Sequence, residues 1–428
     1  MENQDKVHKG SVLSAMFLVG GTCIGGGMLA LPVATGVSGF FPSMGMMFVC
    51  WLAMTASALL LLEVSLWMEE GVHLITMTTR ILGKPGRILS WCLYLFICYA
   101  SLVAYTAGGG AQVSLAARDY FGMTVSKEIC SVIFILVFGC VVYLGSRIVG
   151  RVNAILFTAM VVAYFGLVGM GIPEVDHELL LHRQWSGSLM AIPLLLTAFS
   201  FQTMVPSLTP YLKKNAKALR IAIVGGTLIA FTIYAVWQWL ILGIVPVYGA
   251  NGLAEALEKG EPATQFLREH VTGRGICVIA EYFAFFAIVT SFLGIALGLF
   301  DFLADGLKVK KQGSGNLLLG ILIVVPTIIF ATQFERIFLV ALETSGGFGD
   351  SILNGLIPVT MVWLGRYRMN LGQEGAFRLP GGKPLLIAIF IFFLCTLSLE
   401  TLMQTGQLAD LYKPFEVPAH NIHPGQND

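Results

Sequence analysis

The amino-acid sequence predicts an all-α integral membrane protein with eleven transmembrane helices. The first observation is composition: 56% of the 428 residues are hydrophobic and 12% are charged, whereas a typical soluble domain carries about 25% charged residues. The second is that the apolar residues are gathered into runs of about 20, the length of a helix that crosses a membrane. The third is that glycine and proline interrupt two of these runs. Together these observations predict a bundle of membrane-spanning helices, two of which are discontinuous.

The apolar runs follow one another along the chain as eleven predicted spans. Their approximate limits are 11–34, 40–66, 88–112, 128–146, 152–172, 187–211, 220–246, 276–303, 315–333, 337–363 and 384–404. The first run is longer than the roughly 7–15 apolar residues of a signal peptide, so we expect it to be retained as a span. Turn-forming residues separate the runs, as in LGKPGR at 82–87, and these segments are predicted loops.

The basic residues predict the orientation of the chain. With the N-terminal residues 1–10 in the cytoplasm, 18 of the 26 Lys and Arg residues fall in cytoplasmic segments. This bias agrees with the rule that positively charged loops remain inside. Because the number of spans is odd, we expect the C-terminal segment 405–428 to be external.

The first predicted span contains the stretch GGTCIGGGML at 20–29, in which five residues are glycine. Glycine in a helix interior costs roughly 1 kcal/mol relative to alanine, so this stretch weakens the middle of the span. A non-helical backbone at membrane depth is tolerated only where it is buried in protein or lines a water-filled cavity. We therefore expect span 1 to be broken here, beside a binding site. The alternative is that the small residues only permit close packing between helices.

A second interruption is predicted in the sixth span, AFSFQTMVPSLTPYL at 198–212. Pro206 has no backbone N–H, and its ring clashes with the carbonyl four residues earlier, which opens the helix around Gln202. Several hydroxyl and amide side chains in this stretch are available to the freed backbone groups or to a ligand. The sequence therefore predicts a second broken helix.

Spans 1 and 6 occupy equivalent positions if the chain consists of two five-span halves, 11–172 and 187–363, followed by span 11 at 384–404. Since five is odd, the second half is then inverted relative to the first, as in secondary transporters that bind substrate between discontinuous helices. Backbone N–H groups at the start of a half-helix favour an anion, and carbonyl groups at the end of another favour a cation. An amino acid carries both charges, so we expect a carrier of amino acids whose glycines cradle the carboxylate.

Four stretches carry a resemblance to a known family: GGTCIGGGMLALP (20–32), ALLLLEV (58–64), AIPLLLTAFSFQTMVPSL (191–208) and SFLGIALGLFDFLAD (291–305). In these stretches the chain resembles the hydroxy/aromatic amino acid permeases, and most of all their tyrosine-specific members. The resemblance implies a leucine-transporter-like (LeuT-like) fold and import of tyrosine, or of tryptophan, across a bacterial inner membrane. It further implies cation symport by alternating access, with the proton as the favoured coupling ion. Sodium coupling and a small neutral or hydroxy amino acid substrate are the alternatives.

Carried onto this chain, the resemblance implies a site for the substrate backbone at the two breaks. The residues of this site are Gly21, Thr22, Cys23, Gly25, Gly26, Gly27, Phe199, Ser200, Phe201, Gln202 and Thr203. The candidates for a pocket around the aromatic ring are Tyr99, Tyr105, Phe199, Phe201 and Phe285. Most aromatic residues in a chain with 29 Phe serve packing. Phe199 and Phe201 stand out from them because they lie at the predicted break.

Two hydroxyl groups are candidates for an ion site. Related proton-driven transporters of this fold often carry a lysine in span 5 in place of a sodium ion, whereas this chain has Met160 in that region and no lysine. Thr290 and Ser291 of span 8 are placed where carbonyl groups of span 1 would complete an oxygen site, which a hard cation favours. The alternative is that these hydroxyls bond to the preceding turn of their own helix.

Carboxylates inside the spans are the other candidates for ion coupling, because an acid in the membrane can carry a proton by becoming neutral. Glu343 and Asp350 lie within span 10 among glycines, and either could take part in gating or proton transfer. Pairing of Glu343 with Arg336 is the structural alternative. Glu63 is a further candidate, although Glu63, Asp301 and Glu400 lie near span ends, where solvation at the membrane interface is the simpler expectation.

Several function classes are excluded by what the sequence lacks. All seven histidines lie in predicted loops or tails, no two cysteines form a CxxC pair, and no phosphate-binding G-x-x-x-x-G-K-[ST] motif is present. We therefore expect neither an enzyme nor a metal site nor a cofactor. A net charge of +1 gives no signal for nucleic acid. The expected partners are an aromatic amino acid and the lipid bilayer, without an ATP-binding subunit.

Overall fold

The computed structural model describes residues 11–69, 72–271, 273–334, 336–372 and 377–407. All regular secondary structure in these residues is helical. The predicted cytoplasmic segment 1–10 and residues 408–428 of the predicted external tail lie outside the described residues.

Six helices precede the long connection near residue 180. They are α1 (Val12–Cys23), α2 (Gly27–Gly36), α3 (Phe40–Trp67), α4 (Leu74–Phe121), α5 (Lys127–Tyr143) and α6 (Ser146–Gly171). The connection contains two 3-10 turns, Ile172–Glu174 and Leu179–Leu181, and the single turn α7 (Trp185–Ser188). Within α4, Gly83 has a φ of +74° and a ψ of −160°, so the predicted loop at 82–87 is present as a kink between two helical segments.

The remaining elements begin with a second interrupted helix. They are α8 (Ile192–Ala198), a 3-10 turn (Gln202–Met204), α9 (Val205–Tyr211), α10 (Ala216–Ile244), α11 (Leu253–Lys259), α12 (Ala263–Leu267), α13 (Arg274–Leu307) and α14 (Ser314–Gln333). The last four are α15 (Ile337–Thr344), a π-helix (Ser345–Leu356), α16 (Ile357–Tyr367) and α17 (Gly382–Gln404).

Eight helices among the described residues are long and apolar enough to cross a membrane, with the α8–α9 stretch counted as one. The bent pair α1–α2, which turns by 56° at its break, makes a ninth. Two of the eleven predicted spans are not among these nine: α5 has only 17 residues, and the stretch from α15 to α16 is divided by the π-helix. The fold is therefore an all-helical membrane bundle, and two of its spans are interrupted where the sequence predicted.

The helices around the two interruptions form the centre of the bundle. α10 packs along α1, α2 and α3, while α13 packs against α4 and α6. Every residue of α2 except Ala34 is buried, and α11 and α12 lie against this helix. Tyr234 and Trp237 of α10 and Phe199 at the second interruption are among the largest fully buried side chains. Burial of these rings against both breaks positions the candidate site.

Candidate functional site

Both predicted breaks are present in the structure. α1 ends at Cys23, and Ile24 leaves the helix with an extended backbone before α2 begins at Gly27. α8 ends at Ala198, and Phe201 has a φ of −139° before the chain re-enters a helix. Each break therefore brings the C-terminal end of one half-helix and the N-terminal end of another into the protein interior. The partial charges of these ends are negative and positive, respectively.

The C-terminal ends of α1 and α8 meet at one side chain of α10. The Tyr234 hydroxyl lies 2.5 Å from the carbonyl oxygen of Cys23 and 2.8 Å from the carbonyl oxygen of Ala198. The two breaks are thus neighbours in space, joined by a residue that the sequence reasoning missed. Tyr234 is one of 12 tyrosines and lies in an unbroken apolar helix, so no local signal distinguishes it.

The glycines of the first break allow two other helices to approach its backbone. The N–H group of Gly26 donates to Ser291 Oγ of α13 at 2.9 Å. A Cβ atom on Gly26 would lie 2.7 Å from the ring of Tyr105 in α4, and one on Gly25 would collide with Ser291. At Gly27, by contrast, no described atom lies within 4 Å of the Cβ position. Gly25 and Gly26 therefore serve close packing, while Gly27 presents backbone to open space where a ligand can approach.

The second break is closed by a side chain of its own segment. Gln202 Oε1 accepts a hydrogen bond from the N–H group of Phe201 at 2.9 Å, and Gln202 Nε2 donates to the carbonyl oxygen of Met54 at 3.1 Å. The Gln202 side chain is fully buried. It satisfies a backbone group that the break leaves free, as a helix cap does, and it ties the break to α3.

A buried acid lies directly beside the second break. Asp350 Oδ1 accepts hydrogen bonds from the Ser200 hydroxyl and from Asn354 Nδ2, both at 2.6 Å, and Asn354 Nδ2 also lies 3.1 Å from Ser200 Oγ. Asp350 is fully buried, and its Oδ2 atom has no hydrogen-bond partner among the described residues. Asp350 and Asn354 belong to the π-helix, a rare form found frequently at functional sites. The sequence predicted Asp350 as a coupling candidate but not its contact with Ser200.

Three of the five predicted ring-pocket residues lie at the breaks. The ring of Tyr105 is next to Gly26, and the ring of Phe199 packs edge-on against Tyr234 at a centroid distance of 5.2 Å. Phe201 is buried within the break itself.

The other two ring-pocket candidates contact other parts of the bundle. The Tyr99 hydroxyl donates to the carbonyl oxygen of Leu322 in α14 at 2.7 Å. Phe285 lies 6.1 Å from Phe138 of α5, ring centre to ring centre. Tyr99 lies in α4 and Phe285 in α13, within predicted spans 3 and 8. Tyr99 contacts α14 and Phe285 contacts α5.

The remaining backbone-site candidates differ in their surroundings. Thr22 is exposed, and its hydroxyl donates to the carbonyl oxygen of Leu18 at 2.7 Å. Thr203 is also exposed, whereas Cys23 is buried. A Cβ atom on Gly21 would touch Phe157 at 3.4 Å, an ordinary contact for a carbon atom. These residues surround the breaks, but no described contact joins them to Asp350 or Ser291.

The two hydroxyl candidates for an ion site are both engaged in hydrogen bonds. The Thr290 hydroxyl lies 2.8 Å from the carbonyl oxygen of Phe286 and 3.1 Å from that of Ala287, both in its own helix. Ser291 Oγ accepts from the Gly26 N–H group. Among the described residues no group of three or more His, Cys, Asp and Glu side chains is placed to hold a metal ion.

Of the three acids near span ends, Glu63 and Glu400 are buried, so the expectation of interfacial solvation is wrong for these two. Asp301 is exposed and pairs with Lys311 at 2.7 Å. Glu63 Oε1 lies 2.7 Å from Arg366 Nε, and Glu63 Oε2 lies 2.5 Å from Arg366 Nη2 and 2.9 Å from the Leu379 N–H group. Burial of the Glu63 carboxylate is possible because Arg366 supplies the opposite charge. Glu343 is half-buried, and no basic nitrogen of the described residues lies within 4 Å of it. The alternative pairing of Glu343 with Arg336 is therefore not formed.

Comparison with known proteins adds three findings. The sequence profile of the tryptophan/tyrosine permease family matches residues 8–400. The tyrosine-specific transport system 1 of Haemophilus influenzae is 30% identical over 412 residues, which cover 95% of this chain and 99% of the relative. The tryptophan-specific transport protein of Shigella flexneri is 29% identical over 388 residues, which cover 89% of this chain and 92% of the relative.

A solved structure extends the comparison to the fold. MhsT in complex with L-phenylalanine matches with a TM-score of 0.63 at 12% identity, covering 94% of this chain and 99% of MhsT. The chain therefore shares the LeuT-like fold of that protein, as the resemblance implied.

Proposed function

This chain belongs to the tryptophan/tyrosine permease family, and from that premise we propose that it imports tyrosine or tryptophan across a bacterial inner membrane. Family membership makes it a transport protein rather than an enzyme. Transport would proceed by alternating access, with the amino acid held between the two broken helices. The observation that carries the proposal is that two interrupted helices meet beside a buried carboxylate, Asp350.

The geometry offers a partner for each part of an aromatic amino acid. The open backbone at Gly27, at the N-terminal end of α2, suits the carboxylate, because free N–H groups and the helix dipole favour an anion there. The unpartnered oxygen of Asp350 suits the amino group. Tyr105, Phe199 and Phe201 supply aromatic surface around the breaks.

The proposed topology keeps eleven spans in two inverted five-span halves, 11–172 and 187–363, with span 11 at 384–404. In this reading α5 is a short fourth span, and α15, the π-helix and α16 together form the tenth. The N-terminus is cytoplasmic and the C-terminus external, as the distribution of basic residues favours. A charge-pair of Glu63 with Arg366 then lies at the cytoplasmic ends of spans 2 and 10.

For coupling we favour the proton over sodium, with Asp350 as its carrier. Among the described residues no basic nitrogen lies within 4 Å of Asp350. A buried carboxylate in this situation is stabilised in the membrane by binding a proton. The sodium alternative is less favoured, because Ser291 Oγ already accepts a hydrogen bond from the Gly26 N–H group. The hydrogen of the Gly26 N–H group carries partial positive charge and faces Ser291 Oγ. This charge disfavours binding of a metal cation at the same oxygen.

The test is uptake of labelled tyrosine and tryptophan by the purified protein in liposomes under a proton gradient, a sodium gradient or neither. We expect accumulation with the proton gradient alone, and competition by tyrosine and tryptophan but not by serine or threonine. Accumulation of serine or threonine instead would support the alternative substrate class and contradict the proposal.

Asp350→Asn tests the proposed carrier, with Glu343→Gln as a matched variant in the same span. We expect Asp350→Asn to abolish accumulation, because it removes the proposed proton carrier, and to weaken tyrosine binding, because it removes the carboxylate proposed to pair with the amino group. Intact, pH-dependent accumulation in both variants would show that neither acid carries the proton.

A further inference from the structure

We infer that the hydroxyl of Tyr234 is a built-in neutral replacement for a metal cation between the two broken helices. The site is the point where the C-terminal ends of α1 and α8 converge. There the carbonyl oxygens of Cys23 and Ala198 both lie within hydrogen-bond distance of one hydroxyl oxygen, at 2.5 and 2.8 Å.

The electrostatics of this point call for positive charge. Each half-helix carries partial negative charge at its C-terminal end, so two such ends facing each other repel. In transporters with discontinuous helices, unwound carbonyls and half-helix C-terminal ends coordinate sodium ions or protons. Here a single O–H dipole lies between the two carbonyls. The hydroxyl oxygen of Tyr234 occupies the position from which a metal ion would contact both carbonyl oxygens.

The hydroxyl is held in place by the surrounding structure. The ring of Tyr234 is fully buried and packs edge-on against Phe199. Three residues further along α10, Trp237 Nε1 donates to the carbonyl oxygen of Met28 in α2 at 3.0 Å, and Gln238 Nε2 donates to Thr35 Oγ1 at 2.6 Å. One face of α10 therefore bonds to both sides of the first break and to one side of the second.

This arrangement makes Tyr234 a positioning residue for the substrate site. With Tyr234 in place, the two breaks are assembled without a metal ion. The consequence for substrate affinity rests on the proposed function, whereas the consequence for the geometry of the breaks does not.

The experiment compares Tyr234→Phe with Tyr164→Phe. Tyr164 is a matched control because it is also buried and its hydroxyl also donates to a backbone carbonyl, that of Ile233 in α10 at 2.9 Å, which belongs to neither break. The first readout needs no substrate: the rate at which a maleimide labels Cys23 and Cys50, followed peptide by peptide with mass spectrometry. Both cysteines are buried, Cys23 at the break and Cys50 in α3.

We expect Tyr234→Phe to raise the labelling rate of Cys23 by at least about three-fold through local opening, with that of Cys50 unchanged. Tyr164→Phe should change neither rate. An equal rise at both cysteines would show a general loosening of the fold and overturn the inference, as would no change at Cys23.

The second readout is the affinity for labelled tyrosine, measured in choline chloride and in sodium chloride at one pH. Tyr234→Phe should weaken binding about ten-fold, since the two buried carbonyls lose the single hydroxyl proton that they share, while the wild type should bind equally in both salts. A sodium-dependent affinity in the wild type that Tyr234→Phe abolishes would show that these carbonyls hold a metal ion and overturn the inference. If the wild type bound no tyrosine or tryptophan, the proposed function would fail, and the cysteine readout would still decide on Tyr234.

Discussion

The two broken helices expose their backbone by different means. The first break contains glycines, and other helices satisfy its backbone: Ser291 of α13 accepts from the Gly26 N–H group, and Tyr234 of α10 donates to the Cys23 carbonyl. Tyr234 also donates to the Ala198 carbonyl at the second break, but here a polar side chain of the segment itself takes part, because Gln202 accepts from the Phe201 N–H group.

This difference predicts how each break responds to substitution. The first break depends on the absence of side chains, so added atoms collide with neighbouring helices. The second break depends on a hydrogen bond from a side chain of its own segment. A substitution there should therefore lower stability in proportion to the number of polar groups left without a partner. Four substitutions test these dependences, in decreasing order of expected effect.

Gly26→Ala should have the largest effect. Its Cβ atom would lie 2.7 Å from the Tyr105 ring, which is itself buried. The cost should reach about 3 kcal/mol of stability, the upper part of the range for overpacked sites, and uptake should be lost. Gly27→Ala is the comparison, because its Cβ position has no described atom within 4 Å. It should keep the apparent unfolding temperature and raise the KM for tyrosine.

Thermal unfolding in detergent and uptake in liposomes measure both variants. Equal stability of Gly26→Ala and the wild type would mean that the first break does not depend on close approach. A KM unchanged in Gly27→Ala would remove Gly27 from the proposed carboxylate site.

Gln202→Met should have the next largest effect. It removes an acceptor from the Phe201 N–H group and a donor from the Met54 carbonyl, both in the protein interior. We expect a loss of about 2 kcal/mol, because buried polar groups without partners cost about 1–3 kcal/mol. Gln312→Met, at an exposed position before α14, is the control and should leave the unfolding temperature unchanged. A neutral result at Gln202 would contradict the self-capped description of the second break.

Ser291→Ala should have a smaller effect, because it removes the hydrogen-bond partner of a single backbone N–H group, that of Gly26. The expected loss is about 1 kcal/mol, with a moderate rise in the KM for tyrosine, since the backbone beside Gly27 becomes less well fixed. Ser398→Ala is the control, because the Ser398 hydroxyl is exposed and donates to the Leu394 carbonyl of its own helix. Loss of uptake that excess sodium restored would point instead to an ion site at Ser291.

Thr290→Val should have the smallest effect of the four. The Thr290 hydroxyl bonds only to carbonyls of the preceding turn among the described residues, and those carbonyls keep their helical hydrogen bonds. We expect a change below about 0.5 kcal/mol, the usual size for a substitution without a lost partner. Uptake under a proton gradient should be unchanged, and a large loss would revive Thr290 as an ion ligand.

The sequence by itself determined the membrane class, the order of the helices and the places where two of them break. These features depend on local chemistry: long apolar runs require a bilayer, and glycine and proline weaken a helix wherever they lie. The stretches at 20–27 and 198–206 were therefore recognisable without knowledge of their neighbours. The same local reasoning placed Asp350 inside a span.

Only the tertiary structure decided which side chains meet the breaks. Tyr234 joins both, Ser291 faces an N–H group rather than carbonyls, Asp350 reaches Ser200, and Glu63 is paired with Arg366. A membrane helix is apolar on all sides, so its hydrophobic pattern does not indicate which face points inward. That orientation follows from the packing of many helices against one another, and packing in lipid depends on shape and on hydrogen bonds between distant segments.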